Sequence, residues 1–353
     1  MSAGPPLDMP RPIRSLRLFN GALSRRLDMR AISVCVILFA AALLMMLLTL
    51  GSGEFGIALG DVIAALLGQA EGRVHMVVVE WRLPRTALAV LLGAALGMSG
   101  AIFQSLTRNP LGSPDVIGFD AGAYTGAVVA IILLQGGYLA VAGGAMAGGL
   151  VAALLVYLLA YNRGVQGFRL ILIGIGLSAM LNAFNTWMLL RAKLDVAMAA
   201  AVWGAGSLNG LGLDRLGPAA LVLAVLMPAA LLLVRPMRQL ELGDDAARAL
   251  GVNAEATRLA LIIVGVALIA IVTATAGPFG FVALVAPQLA RRLTGSAGVT
   301  LLPAAAMGAL LLVSADFVAQ RAFAPTQLPV GIVTISLGGL YFIWLLVREG
   351  RRQ

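Results

Sequence analysis

The sequence predicts an all-α polytopic membrane protein with about ten transmembrane helices and both termini cytoplasmic, and three observations predict it. Of the 353 residues, 60% are hydrophobic and only 12% charged, against about 45–50% and about 25% in a soluble domain. Uncharged apolar runs recur along the chain, many of them near the roughly 20 residues that cross about 30 Å of hydrocarbon. The arginines collect between those runs rather than inside them. Forty-two glycines suit tightly packed membrane helices, because small residues let backbones approach.

Taken in order, residues 1–30 form a basic tail carrying Arg11, Arg14, Arg17, Arg25, Arg26 and Arg30. Arg25-Arg26 faintly resembles a twin-Arg export signal. The run after it, Ala31–Leu50, is 20 uncharged residues with no A-x-A site following, which is a spanning helix rather than a signal h-region. Further spans are expected at about 86–106, 114–134, 138–160, 169–190, 216–234, 259–276, 279–290, 301–320 and 329–347, the eighth being short. Pro114, Gly212, Pro236, Gly277-Pro278, Pro303 and Pro329 punctuate the boundaries. The permease domain is therefore 31–348, with an inner loop at 236–257 and a cytoplasmic tail at 349–353. The outer segment 51–84 has mixed charge and a short helix at Leu59–Leu67.

Orientation follows from arginine. With the N-terminus inside, the tail plus Arg108, Arg163, Arg169, Arg235, Arg238, Arg248, Arg258, Arg291, Arg292, Arg348, Arg351 and Arg352 hold 18 of the 25 basic residues. The outer side keeps seven, and an even span count brings the C-terminus inside as well.

Several function classes fall away. The net charge of +9 is spread between apolar spans, not gathered in the patch a nucleic acid needs. One cysteine, Cys35, and one histidine, His75, leave no Cys cluster and no multi-His metal site. The single lysine, Lys193, follows Ala192, so the Gly-Lys pair of a phosphate-binding P-loop is missing. No Ser/His, paired-Asp or His-Glu-x-x-His arrangement points to an intramembrane enzyme. No catalytic residue is assigned.

The inner loop reads Glu241-Leu-Gly-Asp-Asp-Ala-Ala-Arg-Ala-Leu-Gly251. Acidic residues suit a helix N-terminus and Gly251 is a natural stop, so a helix of about two turns is expected at the cytoplasmic face. On pattern alone it is either a capped loop helix or a docking element for a cytoplasmic partner.

Five words occur in order: Ser99-Gly100-Ala101…Gln104, Asn109-Pro110-Leu111, Leu242-Gly243-Asp244…Ala249-Leu250-Gly251, Phe281–Pro287 and Leu328-Pro329-Val330-Gly331. Together they resemble the permease family of ATP-binding-cassette importers for iron–siderophore, haem and cobalamin complexes, over about residues 31–348. Glu80–Arg85, Arg108–Val116, Phe184–Trp187, Ala205–Gly210 and Ser336–Gly339 are most similar to its ferric-enterobactin branch. The resemblance implies a subunit without cofactor of its own, multi-pass in the bacterial inner membrane, importing a ferric siderophore of catecholate type. It implies a homologous second permease subunit, two ATPase subunits holding ATP and Mg, and a substrate-binding protein as partners, besides the lipid bilayer.

The resemblance also implies roles. Asp245, Ala246, Arg248, Ala249, Leu250 and Gly251 would form the ATPase-coupling element. Arg82 and Arg85 at the outer mouth of the second span, and Arg321 at the outer end of the ninth, would dock the binding protein by exposed opposite charges. Asn109 and Leu111 would form a cytoplasmic gate. Asn182, Asn185, Trp187, Trp203 and Asn209 lie in or beyond the fifth span, where amides line a path or bond between helices. Two departures stand out: Pro287-Gln288 replaces the family's usual Pro-His, and Thr326-Gln327-Leu328-Pro329 its usual Glu-Leu-Pro.

Asp120 and Asp316 are acids placed inside spans, away from their ends or charged flanks. They keep open an alternative, an ion-coupled secondary transporter without an ATPase, because an intramembrane carboxylate invites a proton-relay role.

Overall fold

The computed structural model describes residues 13–18, 23–53, 56–115, 118–160, 167–324 and 326–350. The tail residues 1–12 and 351–353, and with them Arg11, Arg351 and Arg352, lie outside the described residues, as does Arg163.

A two-stranded antiparallel ribbon, β1 (Ile13–Leu18) and β2 (Leu23–Asp28), opens the described chain, with Ile13 opposite Asp28. It stands where the sequence predicted only a polar tail. The Asp28 carboxylate accepts the Arg30 and Ala31 amides at 3.1 and 3.2 Å, and so starts α1 (Met29–Gly51). Asp28 thus satisfies amides that the first helical turn cannot.

The helices that follow are α2 (Leu59–Leu66), α3 (Arg73–His75), α4 (Leu83–Thr107), α5 (Phe119–Ile132), α6 (Tyr138–Ala160), α7 (Gly167–Arg191) and α8 (Leu194–Gly204). After them come α9 (Leu213–Leu232), α10 (Val234–Glu241), α11 (Asp244–Ala249), α12 (Ala254–Ala276), α13 (Val282–Thr294), α14 (Leu301–Arg321) and α15 (Val330–Gly350). Among the described residues, seven stretches are long and apolar enough to cross a membrane: α1, Arg73–Thr107, α6, Phe168–Arg191, α9, α12 and α14. Phe119–Ile132 and Val330–Trp344 are apolar but shorter.

Helix α4 is the hub. Leu88, Leu92, Leu96 and Ile102 are fully buried on it, and it packs against α14, α12 and α13. Gly93 and Gly97 lie so close to the Gly308 and Ala304 carbonyls of α14 that a Cβ on either would collide with backbone. The hydrophobic effect supplies little force between helices in lipid, so close van der Waals contact of small residues holds them. Ser99 Oγ donates to Gly265 O of α12 at 2.7 Å, and Gln104 Nε2 to Leu284 O of α13 at 2.9 Å. Residues that read as a motif in the sequence are here the polar ties of the hub. Apolar side chains on α1 such as Val36, Ile37 and Leu44 face outward, as lipid-facing positions do.

Three elements differ from expectation. Arg73–Thr107 runs 35 residues as one helix, whereas a loop was expected up to residue 84. A π-helical stretch, Met76–Arg82, joins α3 to α4 and seats Pro84 at the first positions of α4. Proline lacks an N–H that this junction does not need. The expected eighth span shifts to α13, 13 residues ending in Arg291 and Arg292, because Phe281 takes a left-handed conformation (φ 68°) and delays the start. Finally, α8 was not foreseen.

Candidate coupling and gating site

In the loop between α10 and α12, α11 begins at Asp244 after Gly243 (φ 113°). It ends in a Schellman pattern: Gly251 N–H donates to Arg248 O and Val252 N–H to Ala247 O, both at 2.9 Å, with Gly251 at φ 84°. That left-handed position is why a glycine ends this helix. Asp245, Ala246, Arg248, Ala249, Leu250 and Gly251 are all exposed, while Ala247 is buried. Leu242 and Leu250 are also bare, at 69% and 57% exposure. An open cleft of about 540 Å³ lies beside them, lined by Arg248, Gly251, Val252, Asn253, Ala254 and Glu255. The expected coupling residues thus share one outward-facing surface.

The element is bolted to the bundle through residues the sequence reading did not single out. Both Asp244 carboxylate oxygens accept Arg258 Nη2 at 2.9 Å, and Oδ1 accepts Arg108 Nη2 at 3.1 Å. Arg108 also donates to Leu240 O at 2.7 Å, and Ser105 Oγ to Glu241 Oε1 at 2.7 Å. The Arg258 hydrogen bond, aided by the charges of Arg258 and Arg108, holds the Asp244 carboxyl below the usual range against a lesser opposing effect of burial. The signal for this was present in the sequence: an Asp at the start of a helix with an Arg 14 residues on, at the start of the next.

Arg108 ends α4 in the left-handed region (φ 49°), and the candidate gate follows directly. Asn109 Oδ1 accepts the Leu111 amide at 2.9 Å, an Asx turn that aims the chain at Leu111, which is 40% exposed. One arginine therefore joins the 108–111 turn to α11.

At the other end of the bundle the expected docking arginines part company. Arg85 is not an exposed docking charge. Its guanidinium bonds Asp316 Oδ1 at 2.8 and 3.0 Å and Gln327 Oε1 at 2.7 Å, with Asp316 fully buried and Gln320 Nε2 donating to its other oxygen. A carboxylate sealed among helices needs a cation, and Arg85 supplies it. Arg82 is half-buried and donates to Leu50 O at 2.8 Å. Arg321 is exposed. A cleft of about 420 Å³ opens beside Trp81, Arg82, Arg85, Gly210 and Gln320.

The expected path residues do not form one lining. Asn182, Asn185 and Trp187 lie on α7. Asn185 is 2% exposed and neither amide atom has a hydrogen-bond partner among the described residues, while Trp187 is exposed, stacked on Phe184 at 5.8 Å with Arg191 over its ring. Trp203 belongs to α8 and stacks on Tyr124 of α5 at 6.4 Å, which makes it a packing residue. Asn209 sits exposed in the turn beyond, its amide on Ser207 Oγ. Three of these positions lie on α7, one on α8 and one in the turn after it. Among the described residues, no three His, Cys, Asp or Glu side chains gather to hold a metal ion.

Residues 40–348 match the model of the FecCD transport family. The chain belongs to the FecCD transport family. This FecCD chain is 53% identical to the ferric enterobactin transport system permease protein FepG of Escherichia coli (strain K12), over 92% of this chain and 98% of that one. It is 36% identical to the iron(3+)-hydroxamate import system permease protein FhuG of Bacillus subtilis (strain 168), over 89% and 96%. A solved structure, "An inward-facing conformation of a putative metal-chelate type ABC transporter", matches with a TM-score of 0.78 at 26% identity, covering 90% of this chain and 99% of that one.

Proposed function

We propose that this chain is the membrane-spanning permease subunit of an ATP-driven importer that takes up an iron–siderophore complex of the catecholate, ferric-enterobactin type. It works in the bacterial inner membrane with both termini cytoplasmic, beside a homologous permease subunit. Two ATPase subunits carry ATP and Mg, and a substrate-binding protein delivers the ferric siderophore. The observation that carries the reading is the α11 surface: exposed, partly apolar, and fixed through Arg108 to the Asn109–Leu111 turn. A partner ATPase gripping Ala246, Ala249 and Leu250 pulls on Asp244, and Arg108 passes that displacement to the turn. Arg82 and Arg321 receive the binding protein, while Arg85 supports their helices from within. The exposed Asn182 and Trp187 of α7 border the path, and the buried Asn185 sits behind them. Iron stays inside its chelator throughout, so the permease needs no ligand of its own.

The ion-coupled alternative loses Asp316, which is already paired with Arg85, and would rest on Asp120 in the first turn of α5. The test is ATP hydrolysis and ferric-siderophore uptake by the reconstituted complex carrying Ala249→Glu or Gly251→Pro. The expected result is that the ATPase co-purifies with the unaltered permease, and that uptake and stimulated hydrolysis collapse in both variants. Uptake persisting with no ATPase bound would overturn the reading.

A further inference from the structure

The turn at 108–111 has a second anchor, opposite the coupling helix. Gln288 of α13 is 7% exposed. Its Nε2 donates to Pro110 O, inside the turn, at 2.8 Å, and its Oε1 accepts the Tyr341 hydroxyl of α15 at 3.5 Å. Tyr341 in turn packs on Trp344, and Arg292 of α13 lies over both rings at 5.9 and 5.3 Å. One amide therefore spans three elements, using its donor on the turn and its acceptor on α15. An amide offers both functions at fixed geometry and carries no charge at any physiological pH. An imidazole in its place offers the same two functions but gains a charge on acidification.

We propose that Gln288 is the positioning residue that ties the 108–111 turn to α15, so that the turn, α13 and the cytoplasmic half of α15 move as one body when α11 is displaced. The inference rests on the reading of that turn as the gate. The Arg108–Asp244 contact brings the motion in, and the Gln288–Tyr341 bridge carries it on. Because Gln288 does not titrate, this transmission is independent of pH across the physiological range.

The experiment uses the full reconstituted transporter with Cys35→Ser as background. Spin labels are placed at Leu111→Cys and at the exposed Leu340→Cys, and their distance is read without nucleotide and with ATP trapped. Uptake per ATP hydrolysed is measured on unlabelled protein. With Gln288 present, one narrow distance is expected in both states. Gln288→Leu removes donor and acceptor at similar volume. It is expected to broaden the distribution, leave basal hydrolysis intact and lower uptake per ATP by about tenfold, the scale of one lost hydrogen bond. Tyr341→Phe cuts the bridge from the other end and keeps the test open if Gln288→Leu does not assemble. It is expected to broaden the distribution as well. Gln288→His is expected to restore the narrow distance at pH 8 and lose it at pH 5.5. An unchanged distance and unchanged coupling in Gln288→Leu, or in Tyr341→Phe if that variant alone assembles, overturns the proposal. If Leu111→Ala transports normally while the distances respond as described, the gate reading fails and the mechanical tie stands.

Discussion

Arg85 and Asp316 show what a single contact decides. The carboxylate is fully buried and the guanidinium side chain 11% exposed, at 2.8 Å. Removing one partner strands the other, so Arg85→Met is expected to destabilise the protein by on the order of 3–5 kcal/mol. Arg85→Met with Asp316→Leu is expected to recover most of that loss, because two apolar groups replace two charges. Thermal unfolding of the detergent-solubilised protein reads both, and a double variant as unstable as Arg85→Met would refute the pairing. Asp244 sits at the opposite end and titrates differently. Its carboxyl lies below the usual range in the fold, so the stability it adds is complete above the unfolded value of about 3.9 and fades as pH falls through the lower folded value. Coupled hydrolysis is therefore expected to show no Asp244-linked step between pH 5 and pH 8. Asp244→Asn is expected to lower coupling at every pH in that window, and a pH-dependent defect would count against the assignment. Neither Arg85 for Asp316 nor Arg108 for Asp244 could be assigned from the sequence, because residues 231 or 136 positions apart meet only through helix packing.

Elements behave according to where their polar groups go. The α11 helix has six residues, too short to persist alone, and stands because Arg258, Arg108 and the Gly251 cap hold both its ends. Gly251→Ala keeps the amide but strains the left-handed position, at a cost of about 1 kcal/mol. Gly251→Pro removes the amide as well. The graded expectation is a mild loss of coupling in the first and a severe one in the second, read as uptake per ATP. Equal effects would mean that the cap is irrelevant. The α4–α14 contact is less forgiving. Gly97→Leu drives a side chain into the Ala304 backbone, and the expected outcome is loss of folded protein in the membrane, seen by size-exclusion profile; a monodisperse variant at normal yield would contradict this packing. The α11 helix and α2 were legible beforehand, since an acidic start, a glycine stop and a local apolar run are local signals. The 35-residue helix through Trp81 and Pro84 was not. Its polar residues resemble a loop, and only packing against the neighbouring elements decides that the backbone stays helical there.

At the scale of the whole molecule, transport is expected to need ATP and to survive collapse of the proton and sodium gradients. Uptake in vesicles with ionophore present measures this, and abolition by ionophore with ATP supplied would favour ion coupling. The sequence alone determined the environment and class of the protein. An apolar fraction of 60%, apolar runs of spanning length and arginines between them leave no fold but a helical membrane bundle, since a backbone in hydrocarbon must satisfy its own hydrogen bonds. It also determined the family words, the short helix of the 241–251 loop and the Asn-Pro turn, whose signals lie within a few adjacent residues. The tertiary structure decided which charges are free and which are spent. It turned Arg85 inward to Asp316, gave Trp203 to Tyr124, and joined Arg108 to Asp244 and Gln288 to Pro110. These choices depend on distances between helices far apart in the chain. Such distances are set by where small residues let the helices touch, and no local pattern of residues encodes them.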